Sequence, residues 1–201
     1  MRNNTKSRDD YALVQLIAQG NAHAFEEVFE REMMSVYKLA YVHVKDEAVA
    51  EDITQETFSR LWTNASKWKP EAQIKTWLLK VSRNLSIDVL RKKKNDLKKQ
   101  ERFFVDQHTD LQTRQKHNYQ IVMDRQQVSE SINEALFSLP ERQREALSLV
   151  YYTGCTGAEA AQVMGLTLSA LESLLARARR NLRERLSEQR TELMESYDET
   201  Y

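Results

Sequence analysis

The sequence predicts an all-α protein of two small helical domains joined by a flexible linker. Three observations point there. Glycine and proline are scarce, at four and two in 201 residues, and β-branched runs are few. Apolar residues recur at three-to-four spacing in two separate blocks. Between those blocks, from about Asn95 to Gln127, the chain is polar, charged and aperiodic apart from Phe103-Phe104-Val105. More than about thirty residues without a pattern is too long for a loop inside one domain.

In the first block, Asp9 or Asp10 can cap a helix that ends at Gln19 before Gly20. Asn21 can cap the next, on which Phe25, Val28, Phe29, Met33, Val36 and Leu39 recur at helical spacing. Asp46 can cap a third, with Val49, Ile53, Leu61 and Trp62 inward. Thr63 to Pro70, TNASKWKP, reads as a loop. Ile74, Leu78, Val81, Leu85 and Val89 then mark a fourth helix, and four antiparallel helices with short connections make one module.

The second block starts near Val128. Ile132, Leu136 and Leu139 are helical, Pro140 opens a further helix in its first turn, and Leu147, Leu149 and Val150 follow. Gly154 and Gly157 bracket a turn. A helix over about Ala158 to Met164 ends at Gly165, where a left-handed step is expected. Thr167 or Ser169 caps the last helix; Ser169 with Glu172 fits a capping box and Thr167 a tighter turn. Leu168, Leu171, Leu175, Ala178, Leu182 and Leu186 form its expected buried stripe. The domains expected are 1–95, a linker over 96–127, a second domain over 128–187 and an acidic tail over 188–201.

Composition excludes several functions. The lone Cys155 rules out a disulfide framework and a multi-cysteine zinc site. His23, His43, His108 and His117 do not stand at ligand spacing, and neither a glycine-rich phosphate loop nor a Ser-His-Asp context is present. No enzyme activity, metal or cofactor is expected. MRNNTKSRDDYA lacks the apolar core of a signal peptide, and no apolar run reaches the length of a membrane span; a cytoplasmic protein without membrane insertion is expected.

The formal net charge is zero, but the charges are segregated. Acids outnumber bases nine to three from Glu26 to Glu56, and bases outnumber acids ten to three from Lys75 to Arg102. Such a chain can face a protein with one surface and a nucleic acid with the other. Asp52, Gln55, Glu56 and Ser59 share one helix face, which suits a basic protein partner. The run KTWLLKVSRNLSIDVLRKKK supplies Lys75, Trp77, Lys80, Arg83, Asn84 and Arg91. Cations that follow a backbone, an aromatic that stacks and an amide that reads a base edge are what melted or single-stranded nucleic acid needs. AAQVMGLTLSALESLLARARR has the form of a helix–turn–helix. Its polar residues Ser169, Glu172, Ser173, Arg177 and Arg180 would face a duplex, where Glu172 can accept from a cytosine amino group. The bland alternative for Glu172 is capping and dipole neutralisation.

Taken together these runs are more specific than any one of them. The stretch from DDYALVQLIAQG through AEDITQETFSRLW, with RNLSIDVLR after it, resembles region 2 of the sigma-70 family; LPERQREAL through the helix–turn–helix resembles region 4. The small extracytoplasmic-function subgroup, with only a linker between those regions, is the most similar branch. The resemblance implies a promoter-specificity subunit of bacterial RNA polymerase. Asp52, Gln55, Glu56 and Ser59 would dock on a coiled coil of the largest core subunit. The loop from Asn64 to Ile74 with Lys75, Trp77, Lys80, Arg83, Asn84 and Arg91 would recognise and hold the melted −10 strand. Ser169, Glu172, Ser173, Arg177 and Arg180 would read the −35 duplex, and an anti-sigma protein would restrain the whole. Glu172 and Leu174 stand where the common pattern has basic residues, so a particular −35 sequence is not implied. A stand-alone helix–turn–helix regulator and a helical protein-binding adaptor are the competing readings.

Overall fold

The helices that begin at Ala22, Glu47, Ile74, Gly157 and Leu168 each start where a side-chain oxygen accepts from one of their first unpaired N–H groups, and the computed structural model describes residues 3–69, 72–103 and 134–198. Helix α1 spans Asn3–Ala18, α2 Ala22–Val44 and α3 Glu47–Asn64; a 3₁₀ turn, Ala65–Lys67, leads to α4, Ile74–Phe103. Helix α5 occupies 134–138. Helix α6 covers Glu141–Leu147 and runs on as a π-helical turn, Ser148–Tyr152; α7 is Gly157–Met164 and α8 Leu168–Asp198. The described residues contain no strand.

Asn21 caps α2 by accepting from the Ala24 N–H at 3.0 Å, and Asp46 caps α3 through Val49 at 3.1 Å, both as the sequence predicts. Asp10 departs from its expected role. It sits inside α1, which begins at Asn3, and is only 4% exposed. Its carboxylate instead accepts from the Ile74 N–H at 2.9 Å and from Arg31 at 2.7 Å. It therefore caps α4, sixty-four residues away in sequence. A local pattern cannot reveal a cap supplied across the fold.

Val14, Ile17, Val28, Val36, Leu39, Phe58, Leu61, Ile74, Leu78 and Leu79 fill the centre of the first module. A satellite core of Ala40, Ala50 and Ile53 is covered by Leu85 and Val89 of α4, which are partly buried. The buried stripe of α4 thus runs through Leu79, Ser82 and Ser86 as well as Ile74 and Leu78, rotated from the expected Val81, Leu85 and Val89. Ser82 and Ser86 donate to Val36 O and Ser82 O, which makes polar side chains tolerable at a close helix crossing. Trp62 is not inward: it is 42% exposed. Within TNASKWKP, Thr63 and Asn64 end α3 and Ala65–Lys67 form the 3₁₀ turn; only Trp68 and Lys69 of the described residues are loop, and Trp68 is buried against Tyr11, ring centroids 6.4 Å apart.

Helix α4 continues to Phe103, so the start of the segment expected as a linker with some helix at its ends is helical. The rest of the expected linker, with Val128 and Ile132, lies outside the described residues.

In the second module Leu136, Leu139, Leu147, Leu149, Ala160, Val163, Met164, Leu171 and Ala178 are buried. Thr156 and Glu159 form a full capping box at α7. Gly165 takes φ 64° and its N–H bonds back to Ala161 and Gln162; a side chain at that φ would strain the turn. The open choice of cap for α8 resolves to Thr167, which accepts from Ala170 at 3.2 Å. Glu172 is exposed and takes no part in a capping box. Leu168 is 48% exposed rather than part of the buried stripe. It stands in the first turn, where its Cδ1 covers Gly157, 3.2 Å from where a Cβ would be.

The modules pack on one another. Helix α4 lies against α7, and α2 lies against α6 and the π-helical turn. One continuous apolar core runs through both.

Candidate nucleic-acid and protein interfaces

The recognition half of the helix–turn–helix is the simplest surface. Ser169, Glu172, Ser173, Arg177 and Arg180 are all exposed on α8 and lie on one side, because Ser169, Ser173, Arg177 and Arg180 are spaced by four, four and three and Glu172 adjoins that row. Opposite them Leu171, Leu175 and Ala178 are buried and fix the rotation of the helix. Ser173 donates to Ser169 O at 2.9 Å and Arg177 Nε to Ser173 O at 3.3 Å. The arginine is thus held along the helix by a weak contact that a phosphate oxygen can replace. Arg179, on the flank, donates to Leu175 O, and Asn181 ties α8 to Gln143 at 2.9 Å.

The acidic face of α3 is also presented outward. Asp52, Gln55, Glu56 and Ser59 are exposed, and Glu56 pairs with Arg60 at 2.8 Å. Beside this face runs an apolar groove of about 960 Å³ between α2 and α3. Phe25, Phe29, Met33, Phe58 and Trp62 line it, with Gln55, Ser59 and Glu51 on its α3 side. The rings support one another: Phe29 meets Phe58 edge-on at 4.8 Å and Phe25 meets Trp62 at 5.3 Å. Phe25, Phe29 and Met33 recur at helical spacing, but only the tertiary structure shows that they line an open groove, which is what leaves Trp62 exposed.

On α4 the residues expected to hold a melted strand divide into two sets. Lys80, Asn84 and Arg91 are exposed, Arg91 beside Asp88 at 3.0 Å. Trp77 is half-buried against the core. Lys75 and Arg83 turn the other way, onto the second module. Lys75 Nζ donates to the Thr153 carbonyl and Arg83 Nε to the Glu145 carboxylate. Two turns of helix separate them, with the fully buried Leu79 between, so one stripe of α4 carries both contacts.

The comparisons with known proteins follow the same division. The model of Sigma-70 region 2 matches residues 28–95, and that of Sigma-70, region 4 matches residues 129–182. The chain belongs to the sigma-70 family. Its curated relatives include the ECF RNA polymerase sigma factor SigM of Bacillus subtilis, 28% identical over 79% of this chain and 92% of that protein. SigK of Mycobacterium ulcerans is 28% identical over 89% of this chain and 94% of its own length. Among solved structures, CnrH in complex with the cytosolic domain of CnrY aligns with a TM-score of 0.65 at 22% identity, over 89% of this chain and 97% of that one. RpoE of Bartonella quintana, solved with the anti-sigma factor NepR, aligns at 0.63 and 23% identity, over 81% and 96%. This is a sigma factor of the extracytoplasmic-function type, a DNA-binding subunit that directs core RNA polymerase in transcription initiation. No helix among its described residues is long and apolar enough to cross a membrane.

Several residues of this sigma factor escape sequence reasoning. Glu145 is 2% exposed; burial pushes its carboxyl up, but His43 and Arg83 outweigh that and hold it below the ordinary value of 4.5. Glu32 is also buried, and there burial wins over Lys75 and Arg31, leaving its carboxyl raised. His43 is buried with Nδ1 3.7 Å from Glu141 and Nε2 3.7 Å from Glu145, and neither nitrogen makes a hydrogen bond. Cys155 packs with Thr153, and burial pushes its thiol up, the opposite of what a reactive thiolate needs. A run such as LPERQREAL does carry the charges, but nothing in it tells which glutamate the other module will bury.

Proposed function

We propose that this sigma factor works through three surfaces. The exposed α8 face, Ser169, Glu172, Ser173, Arg177 and Arg180, reads the −35 duplex. The α4 residues Lys75, Trp77, Lys80, Arg83, Asn84 and Arg91 hold the melted −10 strand, and Asp52, Gln55, Glu56 and Ser59 dock the core polymerase. The observation that carries this reading is the pairing of an exposed polar face on a buried-backed recognition helix with a separate acidic face beside an apolar groove. A coiled coil offers an apolar seam flanked by charges, and a groove of Phe25, Phe29 and Trp62 bordered by carboxylates complements one with basic flanks. Neutralised phosphates supply most duplex affinity, and Arg177 and Arg180 are placed to do so. The domains act as 1–95 for core binding and −10 recognition, 96–127 as the connection, 128–187 for −35 recognition and 188–201 as an acidic tail.

An anti-sigma protein restrains the chain, a reading supported by the fold shared with RpoE, which was solved with its anti-sigma factor. The protein is not an enzyme and acts in the cytoplasm, where its polymerase is. Core polymerase incubated with genomic fragments should start transcripts at discrete sites only when this chain is added. Unchanged start sites would sink the proposal. A pull-down from a bacterial lysate should bring down polymerase subunits; a stand-alone repressor would leave them behind.

A further inference from the structure

Helix α1 belongs to none of the three surfaces, yet two adjacent residues of it hold the chain on which the strand reading depends. Asp10 is 4% exposed and divides its two oxygens between partners. Oδ1 accepts from Arg31 of α2 at 2.7 Å, and Oδ2 accepts from the Ile74 N–H at 2.9 Å. Arg31 is itself held by Glu32 at 3.0 Å, so the carboxylate is fixed in rotation. Tyr11 follows at once. Its ring lies 6.4 Å from that of Trp68, tilted by 32°, and Trp68 is buried where the 3₁₀ turn ends. Tyr11 therefore grips the start, and Asp10 the end, of the stretch that carries Lys69 and Gln73.

A carboxylate on the first N–H of a helix does two things. It satisfies a donor that has no partner inside the helix, and its charge meets the positive end of the helix dipole. Here it fixes the first turn of α4, where the Trp77 N–H reaches the Gln73 carbonyl at 3.1 Å and Thr76 is buried. Trp77 stands in that turn, and Lys80 just beyond it. Selectivity depends on groups held to within about 0.5 Å by supports that do not themselves touch the ligand. We propose that Asp10 and Tyr11 are positioning residues for −10 recognition. They fix Trp68 and Ile74, and with them Lys69, Gln73 and Trp77, in the geometry that tells one strand sequence from another. The proposal rests on the assignment of residues 64–74 and α4 to that strand.

These two contacts differ from core packing in what they control. Val14 and Ile17, further along the same helix, belong to the apolar core and fix where α1 lies. Tyr11 is 45% exposed, so its loss takes little from that core. Removing either polar contact loosens the recognition stretch at one end while α1 stays docked through Val14 and Ile17. Neither residue is part of the α8 face or of the acidic face of α3. An effect that acts through position is therefore confined to −10 recognition.

The test uses holoenzyme assembled from core polymerase and the full chain. Transcript starts mapped on genomic fragments with the unaltered protein supply a strong promoter. Versions of it with single −10 or −35 bases replaced then give a selectivity ratio for each element. A ratio is chosen because a less stable protein lowers the amount of active holoenzyme, which cancels from it. Asp10→Ala should lower the −10 ratio about tenfold, the size of one mismatched position, and leave the −35 ratio and the affinity for core unchanged. Tyr11→Ala, which keeps the buried carboxylate, should lower the −10 ratio by a smaller factor. Should Asp10→Ala lose helix content by circular dichroism, Tyr11→Ala decides alone. Equal falls in the −10 and −35 ratios, or an unchanged −10 ratio in folded variants, overturn the proposal. The double variant Lys80→Ala with Asn84→Ala tests the reading beneath it. If that variant lowers the −10 ratio and the α1 variants do not, the positioning role is wrong and the strand assignment stands. If it leaves the −10 ratio unchanged, α4 does not read the strand and both fall.

Discussion

The two candidate DNA surfaces of this sigma factor differ in how much of themselves they keep free. On α8 the five assigned residues are all exposed, and their hydrogen bonds stay within their own helix and its Thr167 cap. On α4 the assigned set is split between solvent and the other module. The lesson is that a basic helix has two uses for its charge. Where the opposing surface carries a buried carboxylate, part of the positive charge is consumed in holding the fold. Where the opposite face is only leucine and alanine, as behind Arg177 and Arg180, all of it is left for a ligand.

That contrast can be broken most severely by charge reversal. Arg83→Glu places a second carboxylate against Glu145. It should lower stability by about 3 kcal/mol or more, as for a broken buried pair, and abolish strand binding. Arg180→Glu should change stability by less than about 0.5 kcal/mol while weakening duplex binding. Denaturant melts beside titrations with promoter DNA check both, and equal stability losses would erase the distinction drawn here.

The two buried carboxylates sharpen it further. Glu145 has its carboxyl held below 4.5. Its ionised form supports the docked fold above that value, and the support is lost as acid takes the pH down through the lowered folded value. Glu32 has its carboxyl raised, so its charge costs stability above the raised value, and the cost disappears as the pH falls through it toward 4.5. Glu32→Gln should therefore leave neutral-pH stability unchanged or raise it by up to about 1 kcal/mol, and should flatten its rise on mild acidification. Thermal melts across pH 4 to 7 measure this, and a clear destabilisation at pH 7 would refute the reading of Glu32.

Smaller effects separate binding from folding. Arg177→Ala should reduce the salt dependence of duplex binding by about one unit of slope, measured across a salt series, with the sequence preference intact. Asn84→Ala, on the exposed side of α4, should change stability by less than about 0.5 kcal/mol and leave core polymerase binding unaltered. It should still impair promoter opening, read by permanganate reactivity of unpaired thymines. Equal loss of core binding and opening would reject its assignment.

Much of the fold is legible in the sequence because helices are local. Asn21, Asp46 and Gly165 do their work within four residues of themselves, so the spacing that reveals them is the spacing that causes them. The exposed α8 face was readable for the same reason, since a stripe of Leu171, Leu175 and Ala178 dictates what lies opposite. Asp10, Trp62 and Leu168 were not readable. Their surroundings come from α4, from the open groove between α2 and α3, and from the start of α7, none of which is encoded near them in the chain.

The sequence by itself determined an all-helical chain, its two blocks, the segregation of charge and the family to which they belong, because periodicity, capping and composition act over a turn or two of helix. Only the tertiary structure decided which charges are spent inside. Arg83 and Lys80 look alike in the run KTWLLKVSRN, three residues apart. One meets a carboxylate buried by another module and the other meets water, and that difference in dielectric surroundings, not in residue type, sets what each can do.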